Sequence, residues 1–198
     1  VLGVVGRNAI GKSTFVKVLA GEIEPTKGRI ELDIKISYKP QYIGLKEKGD
    51  MSVRELFQRL DISESEVIEV LKPLGVPELE NKCVKDLSGG ELQIVAVAAC
   101  LCHHASLYML DEPSAHLDVE QKVHLIKTIR RYAEQRDVSM LIVDHDIYLI
   151  DLLSDRLMVF EGEPGVRGEV KGCFEMREGM NIFLKELGVT FRRDELSL

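Results

Sequence analysis

An apolar run opens the chain, Val1-Leu2-Gly3-Val4-Val5, and two similar runs recur at Leu107-Tyr108-Met109-Leu110 and Met140-Leu141-Ile142-Val143. Runs this short, with little polar interruption, predict strands buried on both faces, as in a parallel sheet. Arg29 to Tyr38 instead alternates apolar with polar residues after the turn Pro25-Thr26-Lys27-Gly28, which predicts one or two further strands. Another strand is expected at Arg156 to Phe160, followed by a glycine-rich, hairpin-like stretch from 162 to 172. Helical spacing fills the gaps. Ser13 to Ala20 stops at Gly21, and helices are predicted near Gly89–Leu101, Val119–Glu134, Ile147–Leu153 and Glu178–Leu187. Strands alternating with helices define an α/β fold on a mostly parallel sheet.

The pattern changes from about Ile43. Ser52-Val53-Arg54-Glu55 and Ser63-Glu64-Ser65-Glu66 both fit a capping box, in which serine and glutamate satisfy each other's backbone N–H groups at a helix start. Val67, Val70, Leu71 and Leu74 then line one helical face, and Gly75 and Pro77 end it. Residues 43–86 are thus expected as a helical subdomain inserted between two parts of one α/β core, 1–42 and 87–198. The stretch 172–198 forms its C-terminal helix and tail.

Bulk properties narrow the partners. A chain of 198 residues buries roughly 70% of its unfolded surface, enough for one core with an insert. The net charge of −7 gives no global positive field for nucleic acid, so contact with RNA would need local patches or protein partners. Lys127 with Arg130-Arg131, and Arg192-Arg193, are such patches. The longest apolar stretch, Ile94 to Cys102, is far short of the roughly 20 residues that span a bilayer. No signal-peptide pattern opens the chain, so a cytoplasmic, reducing setting without membrane association is expected. Cys100 and Cys102 sit two apart on a helix and point roughly 200° from each other, which predicts buried apolar side chains rather than a chelating pair.

The chemistry starts at Gly6-Arg7-Asn8-Ala9-Ile10-Gly11-Lys12-Ser13, which matches G-x-x-x-x-G-K-[ST] between a strand and a helix. Backbone N–H groups of such a turn, with the positive end of the following helix, wrap a triphosphate; Lys12 adds a point charge and Ser13 a magnesium ligand. Asp111 ends an apolar strand, where ligands of open parallel sheets bind, and is expected to hold magnesium through its shell. Glu112, one residue on, is the expected base for the attacking water. His145, flanked by Asp144 and Asp146 after another strand, can donate to a γ-phosphate or to that base, and Gln41 can link a magnesium-bound water to the insertion. Ser88-Gly89-Gly90 before a helix is a second anion site. With one phosphate loop already at the sheet's crevice, this second loop is best matched to a nucleotide held by another domain.

These segments, GRNAIGKS, YKPQ, LSGGE, LYMLDEP, SAHLD and VDHD, resemble the ordered motifs of ATP-binding-cassette (ABC) ATPases across residues 6 to 146. The resemblance implies a P-loop NTPase core and head-to-tail pairing around two ATP molecules. It further implies that Gly6, Asn8, Gly11, Lys12, Ser13 and Thr14 bind phosphate and Mg2+, with Gln41 and Asp111 completing the metal site. Glu112 would be the base and His145 the switch, Ser88 and Gly90 would reach the partner's γ-phosphate, and Asp118 would lie in the communicating loop.

SDRLMVFEGEPG at 154–165 and MREGMNIFLKELGVTFRRDE at 176–195 carry a narrower resemblance. They look like the second nucleotide-binding domain of the ribosome-recycling ATPase, or RNase L inhibitor, family in its archaeal form. That family is cytoplasmic, splits ribosomes into subunits with release and recycling factors on the small subunit, and carries iron–sulfur clusters in a domain that would lie outside this chain. Its first nucleotide-binding domain, or a second copy, would be the pairing partner. The N-terminal strands of the family's domain, with their adenine-stacking aromatic, are missing here, and Ile94 stands where an arginine usually follows the signature glutamine. The alternative is the ATPase subunit of a membrane transporter, against which the tail argues. A clamp that binds ATP without turnover is disfavoured by Glu112 and His145 together.

Overall fold

A computed structural model describes residues 1–41, 50–60 and 62–188. Strand β1 (Leu2–Val5) leads through the glycine-rich loop into α1 (Lys12–Leu19). Strand β2 (Ile36–Lys39) precedes α2 (Val53–Gln58) and α3 (Glu64–Glu66), which runs on into a π-helical segment, Val67–Leu71. Next come α4 (Gly89–Leu101), β3 (Leu107–Asp111), α5 (Val119–Arg136), β4 (Ser139–Val143) and α6 (Ile147–Leu153). The hairpin β5 (Arg156–Glu163) and β6 (Arg167–Glu175) and helix α7 (Met176–Glu186) follow.

The six strands form one sheet in the order β2-β3-β4-β1-β5-β6, parallel except for the β5–β6 pair. Both faces are covered, which is why the central strands are continuously apolar. Val4, Met109, Leu141, Val143 and Phe160 pack on one face with Ile10 and with Val16 of α1. Alternate residues Tyr108, Leu110, Met140, Ile142, Leu157 and Val159 face the opposite way, into a larger core shared with α4, α5 and α6. The helical segments between 53 and 86 join that larger core through Val53, Leu56, Phe57, Val70, Leu71, Leu74, Val76 and Val84. Helix α4 is buried almost all round, and Ile94 is only 3% exposed.

Parallel β1, β3 and β4 end at the same sheet edge, so the loops after them gather the functional residues. Capping boxes form at Ser52, Ser63, Ser88 and Asp118. One expectation changes. Of Arg29 to Tyr38, residues 29–35 are not strand and only Ile36–Lys39 is paired. Of that stretch Lys35 meets β3, its carbonyl accepting from Ser106 N–H at 2.9 Å and Leu107 N–H at 3.2 Å, whereas Ile30, Leu32 and Ile34 stand 39%, 43% and 46% exposed. The glycine-rich stretch forms the expected hairpin, longer than 162–172, and its tip reaches back to the phosphate loop through Gly165 N–H on the Ala9 carbonyl at 2.8 Å.

The basic face of α5 is largely spent inside the chain. Arg130 binds Asp155 and the Leu153 carbonyl, and Arg131 donates to the Glu69 carbonyl in the π-helical segment. Arg192-Arg193 lies outside the described residues. Cys100 and Cys102 are buried in the core, 5% and 4% exposed. Among the described residues no helix is long and apolar enough to cross a membrane.

Candidate functional site

The loop between β1 and α1 is shaped by backbone conformations few side chains adopt. Gly11, the N-cap of α1, has φ 100°, a left-handed value that favours glycine. No side chain caps α1 and its first turn contains no acid, so its N–H donors are left for an external anion. The Lys12 ammonium, 5% exposed, donates to the Gly6 carbonyl at 2.7 Å and the Arg7 carbonyl at 2.9 Å. Burial lowers its pKa, with Glu112 and Asp111 pulling the other way.

Asp111 is fully buried at the end of β3. Its Oδ1 accepts from Ser13 Oγ at 3.3 Å, whereas Oδ2 is buried without a hydrogen-bond partner. Burial raises its pKa, the Ser13 bond opposes that, and neighbouring Glu112 adds to it. A carboxylate oxygen left orphaned beside a hydroxyl fits a hard cation such as Mg2+, whose ligands are oxygens. Glu112 stands in the left-handed region, φ 49°, held by its N–H on the Val143 carbonyl at 2.7 Å. That turn brings Glu112 Oε1 to 2.7 Å from His145 Nε2.

Asn8, Gly11, Lys12, Ser13, Thr14, Gln41, Glu112 and His145 line one cleft of about 320 Å³, with Asp111 bonded to Ser13 and Gly6 supplying a carbonyl to Lys12. Nine of the expected residues and Asp111 are therefore brought together. Ser88, Gly90 and Asp118 do not line this cleft and form a second group. Ser88 Oγ accepts from Glu91 N–H at 3.3 Å, and the Glu91 carboxylate in turn accepts from Ser88 N–H at 2.9 Å, which closes the capping box. Asp118 caps α5 through Gln121 N–H at 2.8 Å. A Cβ on Gly90 would lie 2.8 Å from the His116 carbonyl and 3.2 Å from Gln121 Oε1, so glycine is required where the two helix starts meet.

Three contributors escaped sequence reasoning. Lys39, 2% exposed, donates to the carbonyls of Asp111 at 2.7 Å and Glu112 at 3.1 Å, and burial lowers its pKa to about 8. Asp144 accepts from Ser114 N–H at 3.0 Å and Ser114 Oγ at 2.9 Å, which ties the loop after Glu112 to the loop carrying His145. The available signal for Lys39 was a lysine closing an otherwise half-buried strand; nothing in the sequence singled out the Asp144–Ser114 pair.

A phosphate loop, an acid pair at the end of β3 and a histidine at the end of β4, on this sheet, define a P-loop NTPase of the ATP-binding-cassette class. A family model described as ABC transporter matches residues 1–115, and the chain belongs to that family. It is 48% identical over 198 residues to an uncharacterised ABC transporter ATP-binding protein of Methanocaldococcus jannaschii, covering 98% of this chain and 33% of the relative. It is 38% identical to the translation initiation factor RLI1 of Saccharomyces cerevisiae, covering 98% and 32%. The archaeal ribosome recycling factor aABCE1, solved in a complex with the archaeal ribosomal stalk protein aP1, is 51% identical with a TM-score of 0.91, covering 98% of this chain and 38% of that one. A probable metal transport ATP-binding protein of Thermotoga maritima is 31% identical over only 75% of this chain. The chain spans about a third of the length of the first curated relatives it matches.

Proposed function

We propose that residues 1–198 are one ABC-type nucleotide-binding domain that hydrolyses ATP between its own phosphate loop and the signature loop of a partner domain, within a ribosome-recycling ATPase. The observation that carries hydrolysis is the 2.7 Å contact of Glu112 with His145 beside Asp111. Gly6, Asn8, Gly11, Lys12, Ser13 and Thr14 bind the triphosphate. Ser13, Gln41 and Asp111 hold Mg2+, which when bound neutralises phosphate charge. Glu112 accepts the proton of the attacking water, and His145, the switch, donates either to Glu112, as here, or to the γ-phosphate. Ser88 and Gly90 present donors to a nucleotide on the partner, and Asp118 lies in the loop between the two sites.

The partner is the first nucleotide-binding domain of the same protein or a second copy, and a cytoplasmic setting follows from the role. Alignment over 98% of the chain with the recycling and initiation factors supports the ribosomal role, against 75% for the transport ATPase, whose match is the shorter. The assembly acts on the small subunit with release and recycling factors, and iron–sulfur clusters belong to a domain outside this chain. The core comprises 1–42 and 87–198, ending in the 172–198 helix and tail, with the 43–86 subdomain inserted. Co-sedimentation of the full-length protein with ribosomal subunits tests this: retention on the small subunit with a nonhydrolysable ATP analogue is expected. Equal behaviour with and without nucleotide would contradict it.

A further inference from the structure

Lys39 is a charged side chain at the end of a core strand, and its partners explain why it is tolerated there. A buried ammonium is costly unless its donors are satisfied. In β2, Lys39 stands opposite Leu110 of β3, so its side chain reaches just past the strand end to the next two carbonyls, Asp111 and Glu112. Asp111, Asp144 and Glu112 all act electrostatically on the same ammonium. Lys39 is thus the interior counter-cation of the acid cluster.

The backbone at Glu112 needs such a hold. A non-glycine residue in the left-handed region persists where its surroundings over-determine it. Both sides of Glu112 are held: its N–H by the Val143 carbonyl at 2.7 Å, and its C=O by Lys39 at 3.1 Å and, at a longer 3.4 Å, by Ala115 N–H. The side chain that leaves this turn meets His145. A base misplaced by about 1 Å can cost on the order of 10²-fold in rate.

We propose that Lys39 is a positioning residue for hydrolysis, whose buried ammonium fixes the turn that aims the Glu112 carboxylate. The proposal rests on Glu112 being the base, and its test separates the two. Single-turnover hydrolysis and the ATP dissociation constant are measured in the full-length protein for wild type, Lys39→Met, Glu112→Gln and the double variant. Lys39→Met should lower the rate by about 10²-fold while nucleotide affinity stays near wild type. The loss should disappear in the Glu112→Gln background, as it must for a residue acting through Glu112. Lys39→Arg, which keeps a cation and donors, should recover at least about tenfold of it. An unchanged rate in Lys39→Met, or a loss that persists undiminished on Glu112→Gln, overturns the proposal while leaving Glu112 as the base. A wild-type rate in Glu112→Gln removes the base assignment and Lys39's role with it. Failure of both Lys39 variants to fold would make Lys39 a stability residue and overturn the proposal as well.

Discussion

Glu112 and His145 meet at 2.7 Å although they leave different strands, β3 and β4. The contact is possible because Glu112 turns left-handed immediately after the strand while His145 follows the adjacent parallel strand. Substituting Glu112→Gln keeps the size and a hydrogen-bonding carbonyl but removes the proton acceptor. Hydrolysis in the full-length protein should fall by roughly 10²- to 10⁴-fold, the usual contribution of a positioned general base, with ATP still bound. Single-turnover assays read this directly, and an unchanged rate would remove Glu112 from the role.

Lys12→Ala should act on binding instead. The ammonium sits at the loop carbonyls of Gly6 and Arg7, where a triphosphate would gather its charge. Loss of a buried cation facing phosphate is a ground-state defect, so the dissociation constant rises. Wild-type affinity with slower turnover alone would contradict this assignment.

The sheet was largely legible because its central strands are buried on both faces, so β3 and β4 appear as unbroken apolar runs within a residue of their bounds. Arg29 to Lys35 misled because alternation registers a strand's pattern but not whether a neighbour lies beside it. The placement of the candidate site was legible where its motif residues follow one another along a loop, as at Lys12 and Ser13, which line one cleft. It was illegible where the contact is long-range and to backbone: Lys39 grips carbonyls 72 and 73 positions away. The left-handed turn at Glu112 leaves no compositional trace either, since no glycine stands there.

Tyr132→Phe should destabilise the fold without touching the site. Its hydroxyl donates to the Leu101 carbonyl at 2.6 Å at the end of α4 and lies 3.0 Å from the Tyr108 hydroxyl, which itself donates to the His103 carbonyl at 2.7 Å. Tyr132 is 2% exposed, so the Leu101 carbonyl is left without that donor in the interior. A loss of about 1–3 kcal/mol is expected, measured by denaturant titration. A midpoint equal to wild type would show that water replaces the hydroxyl.

Ser88→Arg should act in trans, because Ser88 and Gly90 stand apart from the cleft that Lys12 and Glu112 line. In the full-length protein, ATP should bind at the Lys12 site with unchanged affinity while closure of the two domains fails. Fluorescence energy transfer between labels on the two domains, with nucleotide titration, separates these. Loss of binding at the Lys12 site, with the opposite site intact, would defeat the trans geometry.

The most direct test is a specific-activity series over concentration for the 198-residue chain at saturating Mg2+-ATP. A site completed by another molecule's Ser88 loop lacks its γ-phosphate donors in the monomer, and such donors are commonly worth about 10²–10³-fold each. The rate should be far below that of the two-domain protein at low concentration and rise more steeply than linearly as chains pair. A rate per molecule that is independent of concentration and equal to that of the full-length enzyme would show that one chain holds a complete site, and would contradict the shared one.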